Sequence, residues 1–172
     1  MSLGAPGKAP RYKAAVLIPI ILRQCGPTVL FTHRSDNLSV HAGQVSFPGG
    51  KIETDDVDAT AAALRETFEE IGIAKHAVKP VGLLDFYDTI TDFRILPVVG
   101  LVDESVNIRV DKREVASVFE VSLNELQCKS HYRKHTVSRQ GEVHHYYSYQ
   151  HHDYLIWGAT AGILRNLIQR LY

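Results

Sequence analysis

Short apolar runs and one strongly amphipathic stretch divide the chain into elements. Ala14 to Leu22 reads Ala-Ala-Val-Leu-Ile-Pro-Ile-Ile-Leu, continuous and rich in branched residues, as a buried strand requires. Gly26-Pro27 predicts a turn, and Thr28 to Thr32 a second strand. Val45 to Phe47 predicts a short extended piece ending at Pro48-Gly49-Gly50. The clearest helical period runs from about Asp58 to Ile71, with Asp55, Asp56 or Asp58 able to cap its start and Gly72 placed to end it. Val81 to Tyr87, Arg94 to Val102 and Val115 to Val121 predict strands, followed by a short helix at Leu123 to Leu126. Tyr132 to Ser138 and Val143 to Gln150 predict a hairpin with Gly141 in its turn, and Ala159 to Leu171 a terminal amphipathic helix. Strands and helices alternate without repeats, so the expected class is α/β (α+β), a sheet sandwiched between helices. Met1 to Pro10 is small and Gly/Pro-rich and predicts a disordered N-terminal tail ahead of a single domain over 11–172.

Composition narrows the function without naming it. A chain of 172 residues with 45% hydrophobic and 22% charged positions can bury a substantial single core. A formal net charge of zero, with a sequence pI near 7.1, removes any global electrostatic case for nucleic acid or membrane partners. The apolar run at Ala14 to Leu22 falls well short of the ~20 residues a bilayer demands, and the start of the chain lacks a secretory apolar region, so a cytoplasmic location is expected. Cys25 and Cys128 form no Cys-x-x-Cys, which excludes a zinc knuckle or a dithiol redox motif and leaves two reduced thiols.

The chemistry concentrates on the Asp58–Ile71 helix. At ~100° per residue, Glu70 falls about 40° from Glu66 and Glu69 about 60° to the other side. Leu64, Phe68, Ile71 and Ala61 gather near the opposite side and are expected to form the buried face. A solvated acidic face is the ordinary reading of such a helix. Two features oppose it here. The carboxylates crowd the C-terminal end, where the macrodipole disfavours negative charge by roughly 0.3–1 kcal/mol each. Glu66 and Glu70 are also a like-charge i,i+4 pair without a compensating Lys or Arg one turn on. A divalent cation would turn this repulsion into coordination, and an all-oxygen donor set suits Mg²⁺ or Mn²⁺ rather than zinc. Upstream, Gly49-Gly50 gives a bend at which main-chain groups can approach a metal or a phosphate closely.

Together these residues resemble the Nudix box: Gly, five residues, Glu, seven residues, then Arg-Glu-x-x-Glu-Glu-x-Gly and an apolar residue. The right half is complete as Arg65-Glu66-Thr67-Phe68-Glu69-Glu70-Ile71-Gly72-Ile73. Counted from Gly50, the early acidic position falls on Asp56 and Arg65 arrives one residue late, and Thr67 stands where an aliphatic residue is usual. The longer spacing is similar to the subfamily that hydrolyses coenzyme A, whose second motif runs Leu-x-Thr-x-Arg-Ser, then Leu-Arg-x-His-x-Gly-x-x-x-Phe-Pro-Gly-Gly. Here Leu30-Phe-Thr-His-Arg-Ser35 and Leu38-Ser-Val-His-Ala-Gly43-Gln-Val-Ser-Phe-Pro-Gly-Gly50 follow it, with Ser39 in place of the usual arginine. Leu96 to Gly100, Glu114 to Phe119 and Trp157 to Gly162 extend the similarity.

The resemblance implies an α/β/α sandwich with a mixed sheet and a metal-assisted attack of water on a diphosphate. Coenzyme A or acyl-CoA would give 3′,5′-ADP and (acyl-)4′-phosphopantetheine. It also implies Glu66, Glu69, Glu70 and the Gly50 carbonyl as ligands of Mg²⁺ or Mn²⁺. Arg65 would orient a glutamate or touch a phosphate. The base would be one of these glutamates or a fourth carboxylate, for which Glu114 is the candidate unless it is a plain surface acid. Arg34, Ser35, His41 and Gly49 would meet the substrate or stabilise their own loops. The expected partner is a coenzyme A-like small nucleotide, with no nucleic acid and no membrane, and a homodimer is left open. A Nudix enzyme acting on another nucleoside diphosphate derivative, such as ADP-ribose or a dinucleotide, is the rival reading, and a non-catalytic nucleotide-binding module the third. The histidines of the last third, His131, His135, His144, His145, His151 and His152, lack a zinc pattern and read as exposed hairpin residues, some of which could line a pocket. Tyr146, Tyr147 and Tyr149 read as packing or as a surface for adenine.

Overall fold

A computed structural model describes residues 12–139 and 141–172, so the expected tail at Met1 to Pro10 lies outside the described residues. In chain order the elements are β1 (Tyr12–Arg23), β2 (Gly26–Arg34), β3 (Val45–Ser46), β4 (Gly49–Lys51), α1 (Ala59–Ile71), β5 (Val78–Leu83), β6 (Tyr87–Asp88), β7 (Phe93–Val102), β8 (Val115–Ser122), α2 (Leu123–Leu126), β9 (Tyr132–Arg139), β10 (Glu142–His151), β11 (Tyr154–Trp157) and α3 (Gly158–Leu171). The main sheet runs β3-β2-β1-β7-β5, with β4 on β1, β6 on β7 and β8 on β2. β1 and β7 pair in parallel along their length while the other pairings are antiparallel, so the sheet is mixed, as expected.

The apolar β1 stays continuous because both faces are covered. Ala15, Leu17 and Ile21 point toward α1, together with Leu30, Val98, Ala62, Ala63 and Ile71. Ile18 and Ile20 point the other way, into a core shared with Phe31, Tyr149, Ile156 and the α3 residues Ile163, Leu164 and Leu167. That second layer contains a separate antiparallel sheet, β11-β10-β9, beside α3. Alternation in β1 therefore sorts its side chains between two cores rather than between core and water.

Four expectations are corrected. Gly26-Pro27 begins β2 instead of forming the turn, which falls on Gln24-Cys25 because Arg23 pairs with Gly26. The strand expected over Val81 to Tyr87 is split between β5 and β6, with a register shift between Pro80 and Gly82. β11 was not expected at all. On α1, Phe68 is 57% exposed, whereas Ala62, Ala63, Thr67 and Glu70 are buried. The buried face is turned toward the glutamates because the Gly49–Lys51 strand packs there. Asp58 Oδ1 caps α1 by accepting from the Ala61 N–H at 2.7 Å, and Gly72, at φ 72°, closes it with its N–H to the Phe68 carbonyl. The expected hairpin is present, with Gly141 at φ 82° in its turn.

Candidate active site

The site is assembled where β4 crosses the start of β1 and the last two turns of α1. Gly49 and Gly50 pair with Val16 and Ala15, and the Leu17 N–H donates to the Pro48 carbonyl at 2.9 Å. At Gly49 a Cβ would collide with the Ala15 carbonyl and, at 2.6 Å, with Val16 Cα. At Gly50 a Cβ would lie 2.5 Å from the Glu66 carboxyl carbon. Both glycines are thus demanded by close approach, the first against backbone and the second against a carboxylate.

Glu70 is nearly enclosed, at 2% exposure. Its Oε2 accepts the Gly49 N–H at 3.2 Å, and its Oε1 lies 3.5 Å from Arg34 Nη1 on β2. Burial pushes its carboxyl up to about 8, against the downward pull of the Gly49 N–H and the Arg34 charge. Glu66 is raised for the same first reason, burial, and is opposed by its bond to Arg65. Negative charge on Glu114 adds to the upward shift of both. Glu114 is an exposed residue just before β8, and its carbonyl accepts the Ser35 N–H at 2.9 Å. Arg34 Nε is buried and has no hydrogen-bond partner among the described residues, which leaves a cationic donor unsatisfied beside the carboxylates.

Arg65 organises the outer half of the cluster. It forks onto Asp56 through Nε at 3.1 Å and Nη2 at 3.0 Å, and Nη2 also reaches the Lys51 carbonyl at 3.1 Å. Nη1 holds Glu66 at 3.0 Å and the more exposed Glu69 at 3.3 Å. The Asp56 bonds hold the guanidinium firmly protonated, and they hold the Asp56 carboxyl below the usual range. The absence of a compensating cation one turn along α1 is therefore made good by Arg65 from the preceding turn and by Arg34 from β2.

The structure brings together Arg34, Gly49, Gly50, Arg65, Glu66, Glu69 and Glu70, with Glu114 close enough to bias two of the carboxylates. Ser35 and His41 are held within their own loop. Ser35 Oγ accepts the Asn37 N–H at 3.4 Å, while His41, at φ 58°, bonds Gln44 Oε1 through Nδ1 at 2.9 Å. Asp56 was visible as a possible helix cap and as the early acidic position of the box, and its role as the Arg65 anchor needs the fold.

No three His, Cys, Asp or Glu side chains among the described residues stand close enough together to hold an ion as they are, and Glu66 and Glu69 are engaged with Arg65. The donor set nevertheless fits a hard divalent cation: carboxylates at Glu66, Glu69 and Glu70, backed by a glycine without which the Glu66 carboxylate could not sit there. Cys25 and Cys128 are free and exposed. The histidines are less exposed than expected: His135, His144, His145 and His151 are half-buried. His135 bonds Ser148 at 2.7 Å and His151 bonds Glu125 at 2.9 Å.

Known proteins resemble this chain in sequence and in fold. A Nudix hydrolase named NudL from Citrobacter koseri, described as uncharacterized, is 41% identical over 157 residues, covering 91% of this chain and 81% of that protein. The NudL of Escherichia coli K12 is 41% identical over 155 residues, covering 90% and 80%. Among solved structures, the NUDIX domain of Shewanella oneidensis NrtR complexed with ADP ribose aligns over 96% of this chain and 91% of its own, with a TM-score of 0.59 at 14% identity. A C. elegans Ap4A hydrolase binary complex aligns over 66% and 82%, with a TM-score of 0.55 at 18% identity, and these two likenesses speak to fold alone. The NUDIX domain pattern matches residues 11–146, and with the NudL relatives it shows that this chain belongs to the Nudix hydrolase family.

Proposed function

We propose that this Nudix hydrolase cleaves the diphosphate linkage of coenzyme A or acyl-CoA, releasing 3′,5′-ADP and (acyl-)4′-phosphopantetheine. The observation that carries the reading is the junction of Arg34 and Glu70, 3.5 Å apart. It joins the coenzyme A-type motif spanning Leu30 to Gly50 to the carboxylate helix, and it leaves Arg34 Nε buried and unsatisfied. The remaining open surface of that guanidinium suits a diphosphate oxygen.

In this reading Glu66, Glu69 and Glu70, with the Gly50 carbonyl, hold Mg²⁺ or Mn²⁺. When bound, the ion neutralises phosphate charge and lowers the pKa of water. Arg65 positions Glu66 and Glu69 while Asp56 fixes its fork. Glu114 takes the proton from the attacking water, being an exposed carboxylate whose charge acts on both Glu66 and Glu70. Arg34 orients the diphosphate through the part of its side chain that stays open. Ser35, His41 and Gly49 shape the wall against which the substrate lies.

A second reading, hydrolysis of another nucleoside diphosphate derivative, is favoured by Ser39, an exposed loop residue where the motif carries arginine. Purified protein incubated with Mg²⁺ or Mn²⁺ and a panel of coenzyme A, acetyl-CoA, dephospho-CoA, ADP-ribose and a dinucleotide separates the two by mass analysis of the products. The first reading expects 3′,5′-ADP and 4′-phosphopantetheine as the fastest-formed pair. Turnover of ADP-ribose or the dinucleotide with coenzyme A left intact would transfer the assignment to the second.

A further inference from the structure

The outer face of the β9-β10-β11 sheet carries a cleft of about 250 Å³, lined by side chains of all three strands. Strand alternation puts Arg133, His135, Tyr146, Ser148 and Trp157 there, while Tyr149 and Ile156 point inward to the core. The main sheet lies between this cleft and α1, since Ile18 and Ile20 face the core beneath the cleft whereas Leu17 and Ile21 face α1. It is therefore separate from the carboxylate cluster.

Its chemistry is specific. Tyr146 stacks on His135 at 4.9 Å and 17°, and meets Trp157 edge-on at 6.0 Å. Trp157 keeps 41% of its surface exposed and neighbouring Leu155 48%, so an aromatic and apolar shelf stays open to a ligand. Arg133 is exposed and makes no ion pair among the described residues. His131 lies at the same end. The lining contains no carboxylate, although the chain as a whole is neutral. A flat apolar shelf next to an unpaired guanidinium matches a molecule with an aromatic ring system and a phosphate. The volume is below the ~300–1,000 Å³ of sites that engulf drug-sized ligands, and suits one base and one phosphate, partly enclosed.

We infer that this cleft is a second, non-catalytic site for a mononucleotide, with the base on Trp157 and Tyr146 and the phosphate on Arg133 and His131. Base stacking on an aromatic side chain and a charge-assisted bond from arginine supply the affinity. The inference is independent of which diphosphate the enzyme cleaves.

Trp157 is the single tryptophan of the chain, so its fluorescence reports on this cleft alone. The intact protein, freed of metal with EDTA, is titrated with AMP, adenosine and ribose 5-phosphate, with excitation at the red edge where adenine does not absorb. Saturable quenching by AMP, far weaker with either fragment, is expected. Arg133→Ala and the uncharged but polar Arg133→Gln should weaken it about tenfold, the loss of one charged hydrogen bond, with circular dichroism confirming the fold. Glu70→Gln should leave the AMP titration unchanged. The inference is overturned by absence of saturation at millimolar AMP, by quenching in both Arg133 variants equal to that of wild type, or by loss of quenching in Glu70→Gln, which would assign the signal to the carboxylate cluster.

Discussion

The Gly49 N–H donates to Glu70 Oε2 at 3.2 Å, so the loop that ends the upstream motif is tied directly to the most buried carboxylate of α1. The donor is a backbone group that only proline at position 49 would remove, and it fixes the orientation of the Glu70 carboxylate as long as β4 stays paired with β1. The relationship places a constraint on each residue around it.

Gly50→Ala would bring a methyl to within 2.5 Å of the Glu66 carboxyl group. Because the obstruction is a side chain, the helix can remain folded while Glu66 is displaced. Activity should fall about 10–100-fold, the usual effect of disturbing a metal ligand's support. Thermal denaturation beside steady-state kinetics checks it: a fall in Tm without a fall in kcat/KM would contradict the assignment of Glu66.

Glu70→Gln should abolish most turnover, yet stabilise the metal-free protein at neutral and higher pH. Glu70 in the folded state titrates near 8, above its ordinary 4.5, so its contribution to stability is present below about 4.5 and is lost as pH rises toward 8. The stability gap between Glu70→Gln and wild type should widen with pH in that window by up to ~1.4 kcal/mol per unit. Urea denaturation of both proteins in EDTA at several pH values measures it. A gap that narrows as pH rises would contradict the burial argument.

Arg65→Lys keeps the charge but loses the fork to Asp56 and the shared hold on Glu66 and Glu69. Lysine supplies a point charge where planar geometry is used. kcat should fall about tenfold or more, while Asp56→Asn should produce a smaller fall in the same direction, because it removes only the anchor. Equal kinetics for wild type and Arg65→Lys would show that the fork positions nothing.

Ser39→Arg should raise the preference for coenzyme A over dephospho-CoA, which lacks the 3′-phosphate. A gain of about tenfold in the ratio of kcat/KM values is expected for one added charged contact. No change in the ratio would remove the upstream loop from substrate recognition.

Much of this was legible in the chain before folding. The three glutamates, the Asp58 cap, the Gly72 stop and the Gly141 hairpin are local patterns, and local patterns survive into structure. What could not be read was set by distant neighbours. Phe68 belonged to the apolar arc by its angle, yet it is exposed because β4 packs on the glutamate side of α1 instead. The pairing of Arg34 with Glu70 joins β2 to α1, and no spacing rule predicts it. β11 has four residues after a His152-Asp153 turn, too short for alternation to declare itself. The counter-charges of Glu66 and Glu69 were hidden in Arg65, whose reach depends on Asp56 holding its other edge.

The measurement that bears most directly on the account is calorimetric titration of the metal-free protein with Mn²⁺ at pH 7, in two buffers of different ionisation heat. Glu70 is largely protonated there, so the account predicts saturable uptake by wild type with release of a proton into the buffer, and much weaker uptake by Glu70→Gln without that release. Absence of divalent-ion uptake by wild type, with or without nucleotide, would contradict it.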